Sequence, residues 1–174
     1  MHTYASALAY VDASSRGATL DVWLSFVFVT PLLTVDTVII YKGKLVLIKR
    51  KNPPFQGHFA LPGGFVEVGE TVETAAVREA KEETGLEVRL LKLLGVYSEP
   101  SRDPRSHTVS VCFLAMGRGN LKAGSDASDT GLFGMNEIPE LAFDHNKIIG
   151  KARSDINGIL SEMQEHDDAR KERF

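Results

Sequence analysis

Residues Gly64 to Leu86 read GFVEVGETVETAAVREAKEETGL, and this stretch decides how the rest of the chain is arranged. From Thr71 to Thr84 the residues are mostly good helix formers, without Gly or Pro. Thr71 can cap the start of a helix there and Gly85 is a natural stop. At roughly 100° per residue, Val72, Ala75 and Ala76 fall on one stripe. The same stripe continues through Glu79 to Glu83, with Glu82 at its edge. These three carboxylates are therefore expected on the side of the helix that faces the core, whereas Glu73, Thr74 and Lys81 point to solvent.

That placement is costly. Like charges one turn apart disfavour a helix by roughly 0.2–0.5 kcal/mol even when exposed, and partial burial adds to the cost unless something neutralises them. A divalent cation does so, and an all-oxygen donor set suits a hard ion such as Mg²⁺ or Mn²⁺ rather than thiolate-bound Zn²⁺. Arg78 can offset part of the charge and brace the adjoining loop. The competing reading is a solvated acidic helix with incidental spacing. It is disfavoured because the glutamates share the apolar stripe and follow a turn, Leu61-Pro62-Gly63-Gly64, whose glycines let the backbone approach a metal or phosphate closely.

The stretch resembles the Nudix box, G-x5-E-x7-R-E-U-x-E-E-x-G-U, in which U is a bulky apolar residue. Gly64 opens it, Glu70 follows, then Arg78 and Glu79, and Glu82, Glu83, Gly85 and Leu86 close it. Ala80 at the first U position departs from the pattern in size but is still apolar. The box covers about an eighth of the chain. The resemblance implies an α/β fold, the Nudix-type α-β-α sandwich with a mixed β-sheet. It also implies that Glu79, Glu82 and Glu83 bind the metal, joined by a backbone carbonyl near Gly63.

Before the box, Thr34 to Tyr41 is rich in β-branched residues, Lys42-Gly43-Lys44 is a turn, and Leu45 to Lys49 alternates as a second strand. Lys51 to His58 is a loop broken by Pro53, Pro54 and Gly57, and Ala60 to Glu67 carries the glycine turn into a short strand. After the box, Glu87 to Tyr97 and Thr108 to Met116 read as strands. The loop between them, Ser98 to His107, is stiffened by Pro100 and Pro104 and offers Arg102 and Arg105, whose guanidinium groups suit phosphate. Arg118 to Gly131 is Gly/Ser/Asp-rich and reads as a loop. Leu132 to Met135 is expected as a short strand and Glu137 to Leu141 as a helical turn. Asp144 to Glu165 has helical spacing, as one helix or as two broken near Gly150 or Gly158, with His145 read as a capping residue.

These flanks, NPPFQGHFALPGGF before the box and GVYSEPSRDPRSH after it, resemble the ADP-ribose pyrophosphatase branch of the family, which typically carries a proline where Pro100 stands. The resemblance implies Mg²⁺-dependent hydrolysis of a nucleoside diphosphate linked to another moiety. For ADP-ribose the products are AMP and ribose 5-phosphate. Either Arg102 or Arg105 is expected to hold the diphosphate or terminal ribose. Phe55 or Phe59 is a candidate to stack on the base, the alternative being a core role. Asp129, with Asp126 nearby, occupies the place of a further acidic residue that serves as base or extra ligand; one of the box glutamates is the alternative base.

Composition bounds the rest. The chain has 174 residues, a net charge of −3 and one cysteine, Cys112, in an apolar run. One domain over residues 31–170, preceded by an extension of uncertain structure over 1–30, fits that length. A near-neutral balance gives no nucleic-acid surface. One cysteine excludes a disulfide framework within the chain and the four-cysteine zinc module usual in NADH pyrophosphatases; a core thiol in a reducing, cytoplasmic setting fits. The segment Val22 to Thr30 is apolar, but Asp21, Pro31 and Asp36 deny it the roughly 18 clean residues of a membrane span, and no basic region precedes it. It reads as an extra strand or a partner-contacting segment. Relatives of the ADP-ribose branch are often dimers, so a homodimer is an expectation. Two rival functions stay open at this point: a pyrophosphohydrolase of nucleoside triphosphates, which would share the metal site, and a non-catalytic nucleotide-sugar sensor, against which the intact box argues.

Overall fold

The computed structural model describes residues 30–124 and 127–171. The extension over 1–29, including nearly all of the Val22 to Thr30 segment, and Asp126 lie outside the described residues. Among the described residues, seven strands form one mixed sheet with helices on both faces. Strands β1 (Leu32–Tyr41) and β2 (Lys44–Arg50) make the expected hairpin. Lys42 and Gly43 both have positive φ, 51° and 73°, the two-residue geometry whose twist matches that of the flanking strands. Then come β3 (Phe59–Ala60), β4 (Gly63–Phe65), α1 (Val72–Thr84), β5 (Glu87–Tyr97), β6 (Thr108–Arg118), β7 (Ala127–Phe133) and α2 (His145–Lys171).

β1 is the centre of the sheet. It pairs in parallel with β6 from Leu32 opposite Thr108 to Ile40 opposite Met116, and β5 pairs antiparallel with β6 beyond it. On its other edge β1 is shared. Ile39 to Tyr41 pair with β2, and Thr34 to Asp36 pair with β4. The hairpin therefore splays halfway along, and the glycine turn enters the gap, with Pro62 O accepting from Thr37 N–H at 2.8 Å. Because side chains alternate along a strand, β1 serves two cores. Val38 and Ile40 join Leu47, Leu114, Ile148 and Ile156 under α2, while Val35 and Ile39 face the side covered by α1 through Ala75, Ala76 and Ala80. The small Ala80 is fully buried beside Ile39, Val46 and Leu86. Cys112 is a free, buried thiol under α2, and burial pushes its ionisation well above the usual range.

The helices follow from their ends. Thr71 Oγ1 accepts from Thr74 N–H at 3.1 Å, and Gly85 adopts φ 69° and donates to Lys81 O. α2 runs unbroken through Gly150 and Gly158, both facing open space. Two expectations are corrected. The Gly/Ser/Asp-rich stretch is not loop throughout, because β7 begins at Ala127 and pairs along β2; an available partner edge outweighs poor strand composition. Glu137 to Leu141 forms no helical turn. Pro139 interrupts it, and Leu141 N–H is bonded instead to Asn146 Oδ1 at 2.8 Å. Among the described residues no helix is long and apolar enough to cross a membrane.

Candidate active site

The splayed hairpin leaves a cleft of about 350 Å³ bordered by the glycine turn, α1, the end of β2, the Ser98–His107 loop and the start of α2. Glu79 and Glu83 line it together with Gly63 and Gly64. Gly63 N–H donates to Glu83 Oε2 at 2.9 Å. A Cβ on Gly64 would run into the Glu79 carboxylate, and one on Gly63 would strike the Val35 carbonyl. The two glycines are thus required by close approach, of the carboxylate in one case and of β1 in the other. The stripe inferred from the sequence is shifted slightly. Ala75, Ala76, Ala80 and Thr84 are the buried positions, and the glutamates flank them.

Arg78 fixes the acidic side. Its guanidinium reaches Glu70 Oε1 at 2.6 Å, Glu79 Oε1 at 2.7 Å and Phe65 O at 3.0 Å, which ties the loop after β4 to the helix. Burial pushes the Glu79 carboxyl up, and the bond and charge of Arg78 offset this only in part. Glu82 does not converge with its neighbours. Its side chain is 57% exposed, it pairs with Arg78 at 3.4 Å, and it does not line the cleft.

Cations and rings border the same cleft. Arg105 is oriented by Asp103, with Nη2 to Oδ2 at 2.7 Å, and its guanidinium carbon lies 5.6 Å from the Phe143 ring and 5.9 Å from Phe65. Arg50 lies 4.8 Å from the Phe143 ring and donates through Nε to Pro54 O at 2.8 Å. It makes no ion pair among the described residues, and burial followed by the charge of Arg105 lowers its proton affinity. Arg102 lines the cleft but is already neutralised. Its side chain is 5% exposed and reaches Asp144 at 2.8 Å and Asp36 at 3.2 Å. Burial pushes the Asp36 carboxyl up, but His145, Ser110 and Arg102 together reverse this and hold it at about 2.

The remaining sequence candidates lie apart from the cleft lining. Phe55 stands edge-on to Phe143 at 4.9 Å, and Phe59 packs on Phe133 at 4.9 Å. Pro100 is exposed in the turn. Asp129 sits opposite Lys49 in β7, where Oδ1 accepts from Thr130 N–H. The aromatic lining comes instead from Phe65 and Phe143, and Arg50, Asp103, Glu67, Asp36 and His145 also border the cleft. For Asp36 the sequence carried a signal, a carboxylate in the middle of an apolar strand, which burial makes costly unless it is paired.

Comparison with known proteins bears on this arrangement. The model of the NUDIX domain matches residues 30–152. The chain belongs to the NUDIX domain family. A NUDIX relative from Methanocaldococcus jannaschii, named ADP-ribose pyrophosphatase, is 58% identical over 123 residues, 70% of this chain and 73% of that protein. The ADPR responsive transcriptional repressor NtrR of Acinetobacter baylyi is 31% identical over 84% of this chain and 63% of its own length. Among solved structures, the NUDIX domain of Shewanella oneidensis NrtR complexed with ADP ribose superposes with a TM-score of 0.65 at 31% identity, covering 74% of this chain and 90% of that one. The NUDIX sheet with its flanking helices is the architecture described above.

All donors at the acidic wall are oxygens. Among the described residues no three Asp, Glu, His or Cys side chains are grouped closely enough to hold a metal by themselves. Two carboxylates beside an open cleft fit a hard divalent ion of the Mg²⁺ type, which keeps several waters and is bound through one or two carboxylates plus substrate phosphates.

Proposed function

We propose that this NUDIX protein hydrolyses ADP-ribose to AMP and ribose 5-phosphate with Mg²⁺ as its working ion. The observation that carries the reading is that the cleft is lined by both charges. Two carboxylates, Glu79 and Glu83, and two guanidinium groups, Arg50 and Arg105, line the same cleft. A diphosphate complexed with a divalent ion presents both charges such a cleft can answer. The similarity to an archaeal ADP-ribose pyrophosphatase and to a NUDIX domain complexed with ADP ribose supports the choice of nucleotide.

Glu79 and Glu83, with the backbone at Gly63, are the groups that would hold the ion. When bound, it supplies neutralisation of charge on the phosphoryl oxygens and a water acidic enough to attack phosphorus. Arg78 keeps Glu79 aimed at the cleft, and the Gly63 amide does the same for Glu83. Arg50 and Arg105 bind the diphosphate oxygens. Arg50 makes no ion pair among the described residues, whereas Arg105 is paired with Asp103, so Arg50 gives up less on binding the diphosphate. Phe65, 45% exposed at the cleft, offers a flat apolar surface for a base or ribose. Glu67, Glu79 or Glu83, all on the cleft lining, takes the proton of the attacking water in this reading; Asp129 lies off the lining.

A hydrolysis panel with Mg²⁺ over ADP-ribose, NADH, a diadenosine polyphosphate and nucleoside triphosphates tests this. ADP-ribose should give the highest kcat/KM, with AMP as product. Preference for a triphosphate with release of pyrophosphate would refute the substrate.

A further inference from the structure

We propose that His145 is a positioning residue, which acts through Leu61 to hold the glycine turn so that the Gly63 amide meets Glu83. The inference rests on the reading above that Glu83 and Gly63 belong to the ion-holding site. His145 is buried at the start of α2, and a capping role does not account for its contacts. Nδ1 accepts the Leu61 N–H at 2.9 Å, and Nε2 stands 3.3 Å from Asp36 Oδ1. A ring nitrogen that accepts carries no proton, so the other one donates. This fixes one tautomer, with Nε2–H directed to Asp36. Asp36 is itself held by Ser110 Oγ at 2.5 Å and by Arg102.

The consequence falls on the turn. Leu61 is gripped by His145, Pro62 O accepts from Thr37 N–H, and Gly63 N–H donates to Glu83. These three consecutive residues are thus attached to α2, β1 and α1 in succession. Gly63 cannot compensate for a displaced Leu61 by moving towards β1, since even a methyl group there would meet the Val35 carbonyl. Loss of the Leu61 bond should therefore shift the Gly63 amide relative to Glu83. Neighbours that orient a ligand in this way commonly matter by 10- to 100-fold in affinity or activity.

Two substitutions separate the two ends of the ring. In His145→Asn the Oδ1 atom can take the place of Nδ1 and accept from Leu61. In His145→Gln the longer amide can replace Nε2 at Asp36 but not Nδ1. Amide hydrogen exchange of the metal-free protein and kcat and KM for ADP-ribose with Mg²⁺ are measured for both. The expected result for His145→Gln is exchange at Leu61 and Gly63 faster by about tenfold or more, with Ile39 and Leu114 unchanged, and kcat down by about 10- to 100-fold at a KM within about twofold. His145→Asn should recover most of both. Gln equal to or better than Asn, exchange rising evenly across β1 and β6, or wild-type kcat in both variants would overturn the proposal. So would a ¹⁵N spectrum of the unsubstituted protein with the proton on Nδ1, a result that depends on no variant folding. Wild-type protein that fails to hydrolyse ADP-ribose would instead count against the proposed function, while exchange at Leu61 still decides whether His145 holds the turn.

Discussion

Arg78 and Arg102 are each tied to carboxylates beside the same cleft, yet they are built in opposite ways. Arg78 draws on Glu70, Glu79 and Glu82, at separations of eight, one and four residues, and its side chain is 23% exposed. Arg102 draws on Asp144 and Asp36, at separations of 42 and 66 residues, and is almost wholly buried. The first cluster is set by the period of one helix and by the loop that precedes it. The second exists only after β1, β6, the Ser98–His107 loop and α2 have come together. The Arg78 cluster directly orients Glu79, one of the two carboxylates proposed to hold the ion. The Arg102 cluster joins the facing loop to Asp144, between Phe143 and the His145 that opens α2, so it ties two sides of the cleft together.

The contrast sets a ranking of effects. Arg102→Met should be the most damaging to the fold, because it leaves Asp36 and Asp144 buried without their cation; a loss of about 3–5 kcal/mol in denaturant unfolding is expected. A loss below about 1 kcal/mol would mean that the two clusters do not differ as described.

A smaller effect separates the clusters by pH. The folded Asp36 carboxyl lies at about 2 against an ordinary 3.8. A group whose folded value is depressed contributes stability that is complete above its unfolded value and is lost as pH falls through the folded one. Asp36 should thus contribute stability that is complete above pH 4 and disappears towards pH 2. Unfolding free energies of the wild type and Asp36→Asn between those limits should converge as the solution is acidified; parallel curves would contradict the pairing.

Smaller again is the effect of Arg50→Gln. Its guanidinium has no ion pair to lose among the described residues, so stability should hold or rise slightly. KM for ADP-ribose should increase about tenfold, equivalent to about 1.4 kcal/mol of binding, with kcat little changed. A fall in kcat at constant KM would move Arg50 from binding to the chemical step.

How much could be read from the chain follows the same division. The hairpin, the glycine turn, α1 with its cap and stop, and the strands of β5 and β6 were legible, since each is encoded by spacing within a few residues. Glu79 and Glu83 reach the cleft for the same reason. Arg102, by contrast, reads as a free phosphate ligand from its loop alone; its two carboxylate partners are distant in sequence and only the folded chain brings them together. His145 reads as a cap because Leu61 and Asp36 are far away along the chain. Phe143 and Phe65 replace Phe55 and Phe59 on the cleft lining because aromatic composition does not say which ring faces inward. β7 was hidden by its Gly/Ser/Asp content, which describes a loop until β2 offers it an edge.

Manganese binding followed by electron paramagnetic resonance, compared between the wild type and Glu83→Gln, tests the central claim most directly. The claim is that the α1 carboxylates beside the Gly63–Gly64 turn hold a divalent ion. The wild type should bind Mn²⁺, and Glu83→Gln should bind at least about tenfold more weakly with an unchanged circular dichroism spectrum. Equal Mn²⁺ affinity in the two proteins would contradict the account.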